Sequence, residues 1–449
     1  MDIGTLVGQF GGFFWVILAF IVALSVIVAI HEYGHYIVGR WSGIHADVFS
    51  IGFGPVIWSR KDKRGTQWQI ALLPLGGYVK FAGDANEASG KDEEAMEEVA
   101  ADPEALRKTM HGAPLWARAL TVAAGPVFNF AFSALLFFGV VMWSGTPSDP
   151  LTVSKLRPLP DVQSGLQPGD RILRVEGQEV PSFIGNDVLK FANALPRQVE
   201  LAYEVQRDGE TVSTVGPFLA PARVGGVTPR SAAQVAGLKE GDVITHVDGT
   251  RIYAFGDLAR VVESSDGRGI PLIVWSDGVS RDITLTPKRV DEPQDEGGFV
   301  TYWRIGVASS MAFEPAYESV GVWDALSGSV SQVGRIITGS ITGLGSMIAG
   351  QISTCNLSGP IGIAQTSGAM ASQGVDSFIW FIAVLSTAVG LLNLFPIPAL
   401  DGGHLVFYAF ESVTGRPPSD RALRILMTIG LTLVLGLMMF SLFNDLFCP

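Results

Sequence analysis

The sequence predicts a polytopic α-helical membrane protein. It should have four transmembrane helices, a membrane-associated β-hairpin or small sheet, and an outer β-rich α/β region of two tandem small domains. Three observations carry this. Of 449 residues, 48% are hydrophobic and 16% charged, too apolar for an ordinary soluble chain. The apolar excess gathers in Phe13–Ile30, Leu120–Trp143, Phe378–Phe395 and Ile425–Phe443, each approaching the ~20 residues that cross a bilayer. The long stretch 145–377 between the second and third of these contains an internal repeat.

Residues 1–47 form the first span and its end. Met1–Gly12 carries no Lys or Arg, and no small-residue cleavage site follows, so the segment reads as an anchor and not a cleaved signal peptide. Directly after the apolar run stand His31, Glu32 and His35, within HEYGH. Ionisable groups at the end of a span are costly and mark function. On a helix the two histidines share one face, about 6 Å apart along the axis. Two imidazoles so placed can hold one zinc ion, and Glu32 beside them can take a proton from the attacking water. Histidines merely hydrogen-bonded in a bundle core would leave the buried glutamate unexplained.

Residues 48–118 make the next loop. In 48–81, apolar stretches flank a basic turn at Lys61–Gly65, the pattern of a hairpin or small sheet. Its edge suits pairing with an extended peptide; the plainer alternative is an interfacial anchor. The acidic run 84–104 is expected as a solvated helix or mobile loop. In the second span, 119–144, Gly125-Pro126 should bend the helix and admit close neighbours. Asn129 is expected to brace the bundle rather than touch substrate.

Beyond it, SGLQPGDRILRVEGQEV (164–180) and AGLKEGDVITHVDGTRI (236–252) align at a constant offset of seventy-two residues. Gly-Asp enters an alternating apolar strand, and Glu-Gly or Asp-Gly leaves it. Two copies predict tandem domains at 151–220 and 221–305, not a solenoid. In 306–376, apolar residues from Val333 to Ile348 recur at helical spacing, which predicts an amphipathic helix over 331–352 on the outer membrane surface.

The third span, 377–400, runs into NLFPIPALDGGH. Pro396 and Pro398 break the helix, which at membrane depth is tolerated only around a protein-enclosed or watery cavity. A catalytic zinc takes three protein ligands and keeps one position open. Asp401 is the candidate third ligand. His404 is its rival, with orienting Asp401 or lying at the interface as its other roles. The fourth span is 423–444.

Lys and Arg crowd the loop between spans one and two and the short loop holding Arg416, Arg421 and Arg424, and both termini lack them. The positive-inside rule then puts both loops in the cytoplasm and both termini outside with 145–377. A net charge of −12 argues against nucleic-acid binding. Cys355 and Cys448 are too few for a disulfide framework, and nothing in the sequence calls for redox chemistry.

HEYGH (31–35) and NLFPIPALDGG (393–403) together resemble the two signatures of the site-2 protease family of intramembrane zinc proteases. AAGPVFNF (123–130) and NLSGPIGIA (356–364) are also family-like, and the repeat resembles PDZ domains of bacterial proteases. The resemblance runs from about Phe13 to the end. Tyr33, where phenylalanine is common, and the acidic 84–104 depart from it without touching a proposed ligand. It implies that His31, His35 and Asp401 bind Zn2+, that Glu32 is the general base, and that Asn393 lies near the active site. There the Asn393 amide could hold substrate backbone or a developing oxyanion, or make only a packing hydrogen bond.

The resemblance further implies a multi-pass protein of a bacterial inner membrane, with periplasmic PDZ domains and an active site toward the cytoplasmic side. Its substrates would be single-pass membrane proteins: an anti-sigma factor already trimmed outside, whose release drives an envelope-stress response, and remnant signal peptides. The PDZ domains would meet peptides or substrate outer domains. Two readings from other classes compete. A non-catalytic scaffold presenting PDZ domains has no use for an intact His-Glu-His-Asp set. A transporter would need polar sites at the midplane and repeated spans, whereas the polar residues here gather at one membrane end.

Overall fold

The computed structural model describes residues 3–85, 90–182, 187–294 and 298–448. They divide into two compact units, one of residues up to 140 with 322–345 and 354–448, the other of 141–321 with 346–353.

The first unit is helical apart from one sheet. Its main helices are α1 (Ile3–Trp41), α2 (Leu115–Ser144), α3 (Val322–Ile348), α4 (Pro360–Gln373), α5 (Val375–Asn393), α6 (Asp401–Thr414) and α7 (Asp420–Phe447). Among the described residues, four stretches are long and apolar enough to cross a membrane: Gly12–Trp41, Leu115–Ser144, Val375–Asn393 and Arg421–Phe447. On α7, Leu426, Ile429, Leu433 and Met438 all stay exposed, as an all-round apolar helix facing lipid would. The first helix does not stop at Ile30 but runs on to Trp41, so HEYGH lies inside continuous helix.

Sequence spacing set α3 over 331–352; it begins at Val322 and ends at Ile348, just before Gly350 in the left-handed region at φ 72°. Helices α4 and α6 were not anticipated. Their patterns are short and Gly-rich, and α4 draws its cap from elsewhere in the chain. Asp445 of α7 accepts hydrogen bonds from the N–H groups of Gly359, Ile361 and Gly362, each at 3.0 Å. A carboxylate there satisfies orphan donors and meets the positive end of the helix dipole. Asp445→Ala is expected to cost about 1–2 kcal/mol, read as a lower thermal midpoint in detergent; an unchanged midpoint would show the cap to be idle. Beside it, Asn444 Nδ2 donates to the Thr354 carbonyl at 2.8 Å.

Cys355 and Cys448, 93 residues apart in sequence, form a disulfide. This corrects the reading that no redox chemistry is called for. Counting cysteines could not reveal that the turn before α4 meets the end of α7.

Strands β1 (Ala46–Lys61) and β2 (Gln67–Phe81) pair antiparallel. Asp62 makes the turn, its Oδ1 accepting from Arg64 N–H at 2.8 Å and Thr66 N–H at 3.0 Å, and Gly65 supplies a φ of 94°. The register breaks repeatedly, and Phe49 faces both Val79 and Trp68, so the start of β1 has neighbours on both sides. Val56, Ile57 and Trp58 remain exposed. The acidic run holds two short helices, Glu93–Val99 and Pro103–Arg107, capped by Asp92 and Asp102; residues 86–89 of it lie outside the described residues.

In the second unit the repeat becomes two four-stranded sheets of the same order. One runs Gln178–Glu179, Arg171–Val175, Glu200–Arg207, Glu210–Pro217; the other runs Thr250–Arg251, Val243–Val247, Ile270–Ser276, Val279–Leu285. Each shifts register at the same point, between Ile172 and Arg174 and between Ile244 and His246. Each turns on a pair with positive φ, Glu176-Gly177 and Asp248-Gly249, the two-residue hairpin turn that matches strand twist. Asp170, fully buried, takes two 2.7 Å hydrogen bonds from Arg207; Asp242 takes one of 2.8 Å from Arg281. Burial pushes the Asp170 carboxyl up, but the bonds from Arg207 and Gln167 N–H hold it below the usual range.

Candidate metal centre

The centre is built where α1, α2 and α6 meet. One apolar cluster joins Tyr36 of α1, Phe49, Val79 and Phe81 of the sheet, Ala117 and Val122 of α2, and Leu405 and Tyr408 of α6. Arg118 of α2 grips Glu411 of α6 through bonds of 3.0 and 2.6 Å. At the other end of α6, Pro396 and Pro398 keep 394–400 out of helix, and the new helix starts at Asp401. A Cβ on Gly402 would lie 2.3 Å from the Leu394 carbonyl oxygen, and one on Gly403 would lie 2.4 Å from that of Ile397. These two glycines let α6 fold back against the linker and aim Asp401 inward.

Asp401 Oδ2 lies 3.1 Å from His31 Nε2 and 3.5 Å from His35 Nε2, and the two Nε2 atoms are 3.1 Å apart. One ligand atom from each residue falls within 4.8 Å of the others, the one group of its kind among the described residues. Both histidines are buried, yet Asp401 Oδ2 is buried without a hydrogen-bond donor. A buried carboxylate oxygen facing two imidazole nitrogens fits a shared cation. This donor set of two nitrogens and one oxygen is that of catalytic zinc.

The second span supplies more than packing. Gly125 sits where a Cβ would come within 2.3 Å of His35 Nε2 and 2.8 Å of His31 Cε1, so only glycine leaves room for both rings. One turn earlier the Thr121 carbonyl accepts from His35 Nδ1 at 2.9 Å. Asn129 is fully buried with its Nδ2 3.2 Å from His31 Nδ1. Bracing of the bundle falls instead to its backbone carbonyl, which accepts from Ser386 Oγ of α5 at 3.1 Å. The sequence singled out Asn129 but not this contact; its place in AAGPVFNF, four residues after Gly125, was the available signal.

Glu32 is half-buried and faces β2, where a Cβ on Gly77 would come within 3.1 Å of Glu32 Cγ. Asn393 ends α5, half-buried, and is outside the three-residue cluster. His404 is also outside it, its ring 6.0 Å from that of Phe407. Tyr33 is exposed.

The profile of peptidase family M50 matches residues 19–437. A protein of Agrobacterium fabrum named as a zinc metalloprotease is 33% identical over 441 residues, covering 96% of this chain and 95% of its own. One of Vibrio cholerae with the same description is 31% identical over 462 residues, covering 96% and 98%. The regulator of sigma-E protease RseP of Escherichia coli is 34% identical over 470 residues, again covering 96% and 98%.

Proposed function

The chain belongs to peptidase family M50, the site-2 protease family, and is a zinc metallopeptidase of that type; from this premise we propose that it cleaves single-pass membrane proteins within or beside their membrane span. The observation that carries the proposal is the convergence of His31, His35 and Asp401 Oδ2. His31, His35 and Asp401 hold the zinc. When bound, zinc supplies Lewis acidity and eases ionisation of water. Glu32 accepts the proton of the attacking water and returns it to the leaving amine. Asn393 contacts substrate backbone near the end of α5.

A helical substrate must be unwound before its carbonyl can be attacked, because backbone hydrogen bonds and side chains screen it. The sheet of β1 and β2 offers an edge for pairing the unwound segment, and its contact with Glu32 at Gly77 supports that role. The substrates are a pre-trimmed anti-sigma factor in an envelope-stress response and remnant signal peptides. The repeated sheets at 151–220 and 221–305 are PDZ domains. The deciding experiment compares membrane-fragment profiles of cells expressing wild type and Glu32→Gln; identical profiles would remove the proposed activity.

The chain lies in a bacterial inner membrane, with its basic loops cytoplasmic and its termini and 145–377 periplasmic. Two independent features support that orientation: the Lys and Arg distribution, and the Cys355–Cys448 disulfide, which belongs in an oxidising compartment. A cysteine at exposed Ser264 should react with an impermeant thiol reagent from outside, with the disulfide left intact. Its neighbour Ser265 is buried and unsuited to labelling. A cysteine at Lys63 should react only after the membrane is opened, and the reverse pattern would invert the topology. The loop position Ser89 lies outside the described residues.

A further inference from the structure

His35 has one usable tautomer. Its Nδ1 faces a carbonyl oxygen, which only accepts, so Nδ1 carries the proton and Nε2 keeps a free lone pair. His31 Nδ1 meets no carbonyl of this kind among its hydrogen bonds. Its Nδ1 faces the Asn129 amide nitrogen, a donor, at 3.2 Å. That arrangement puts the His31 proton on Nε2, the atom aimed at Asp401 and His35, and blocks it as a ligand. It also leaves Asn129 Oδ1 buried without a partner. The nitrogen and oxygen of an asparagine amide exchange places by a half-turn. After it, Oδ1 accepts from His31 Nδ1–H, and Nε2 is freed to match His35.

We infer that Asn129 is the positioning residue that sets the tautomer of His31, its Oδ1 accepting from Nδ1–H. This rests on the reading of His31 as a zinc ligand. The amide suits the task because it offers an acceptor without adding a second buried negative charge beside Asp401.

The test measures zinc affinity of the purified full-length protein by chelator competition, together with the thermal midpoint of the metal-free form. Asn129→Leu, similar in size but without an acceptor, should lose roughly 10–100-fold in affinity. Asn129→Asp presents an oxygen in either orientation and should bind zinc at least as tightly as wild type. A purely bracing residue would lower the metal-free midpoint and leave affinity unchanged, and wild-type affinity in Asn129→Leu overturns the inference. If Asn129→Leu does not fold, Asn129→Asp decides, and a 10–100-fold loss there overturns it. His31→Ala is run in parallel. Stoichiometric zinc in that variant sinks the ligand assignment itself, whereas zinc lost there but held at wild-type affinity in Asn129→Leu sinks only the tautomer role.

Discussion

Glu32→Gln is expected to abolish detectable cleavage while the protein still carries zinc. The amide keeps the size and hydrogen-bonding shape of the carboxylate but cannot accept the proton of the attacking water, a loss of about 10²–10⁴-fold for a missing general base. Zinc should stay because Glu32 is outside the cluster of ligand atoms, which His31, His35 and Asp401 complete without it. Substantial turnover in a zinc-replete Glu32→Gln preparation would withdraw the base from Glu32. His31→Ala and Asp401→Ala should behave differently, losing metal and activity together, since each removes one of the three converging side chains proposed to hold the zinc. His404→Ala sharpens the comparison. Its ring packs near Phe407 and is outside the cluster, so that variant should keep its zinc. Metal retained by Asp401→Ala and lost by His404→Ala would exchange their roles.

Much of this site could be read from residue order because the chemistry constrains spacing tightly. Two histidines on one helical face need four-residue separation, and HEYGH shows it. A helix broken by Pro396 and Pro398 near the same membrane end pointed to Asp401. What could not be read were relations between distant segments. The Thr121 carbonyl that orients His35 is backbone and leaves no mark on residue identity. The glycines at 402 and 403 could be quoted, but their use, letting α6 lie against the carbonyls of Leu394 and Ile397, is a matter of packing. Helix α4 is capped by Asp445 from α7, so its start has no local side-chain cap to recognise. The spans themselves were legible to within a few residues at most ends, because lipid exposure imposes apolar character on every side. The continuation of α1 past the apolar run was legible from HEYGH itself, since two histidines four apart share a face only on helix, and the helix runs through them to Trp41.

Deleting 151–305, with a linker that preserves the flanking spans, is expected to let the enzyme cleave an untrimmed substrate that the intact protein rejects. Under the proposed topology these domains are periplasmic while the metal ligands face the cytoplasmic side, with about 30 Å of hydrocarbon between those surfaces. They cannot then donate catalytic groups and must act on entry. Two modes remain: excluding substrates that still carry bulky outer domains, or capturing a newly cut chain end. The cavity where the two repeats meet, lined by Leu159, Phe218, Val243 and Tyr253, measures only about 50 Å³. A wider groove of about 430 Å³ lies along the second repeat, beside Leu272, Ile273 and Ile283, so cavity size does not separate the two modes. Exclusion is the expected mode. The measurement pairs one model substrate, with and without its outer domain, against both enzymes at equal membrane levels and confirmed zinc content. Exclusion predicts that cleavage of the untrimmed form rises to the level of the trimmed one in the deletion. Capture predicts instead that cleavage of the trimmed form is lost. A folded, zinc-containing deletion that still rejects the untrimmed substrate as strictly as the intact enzyme would leave the filter without support, and selection would then have to reside in the membrane unit itself.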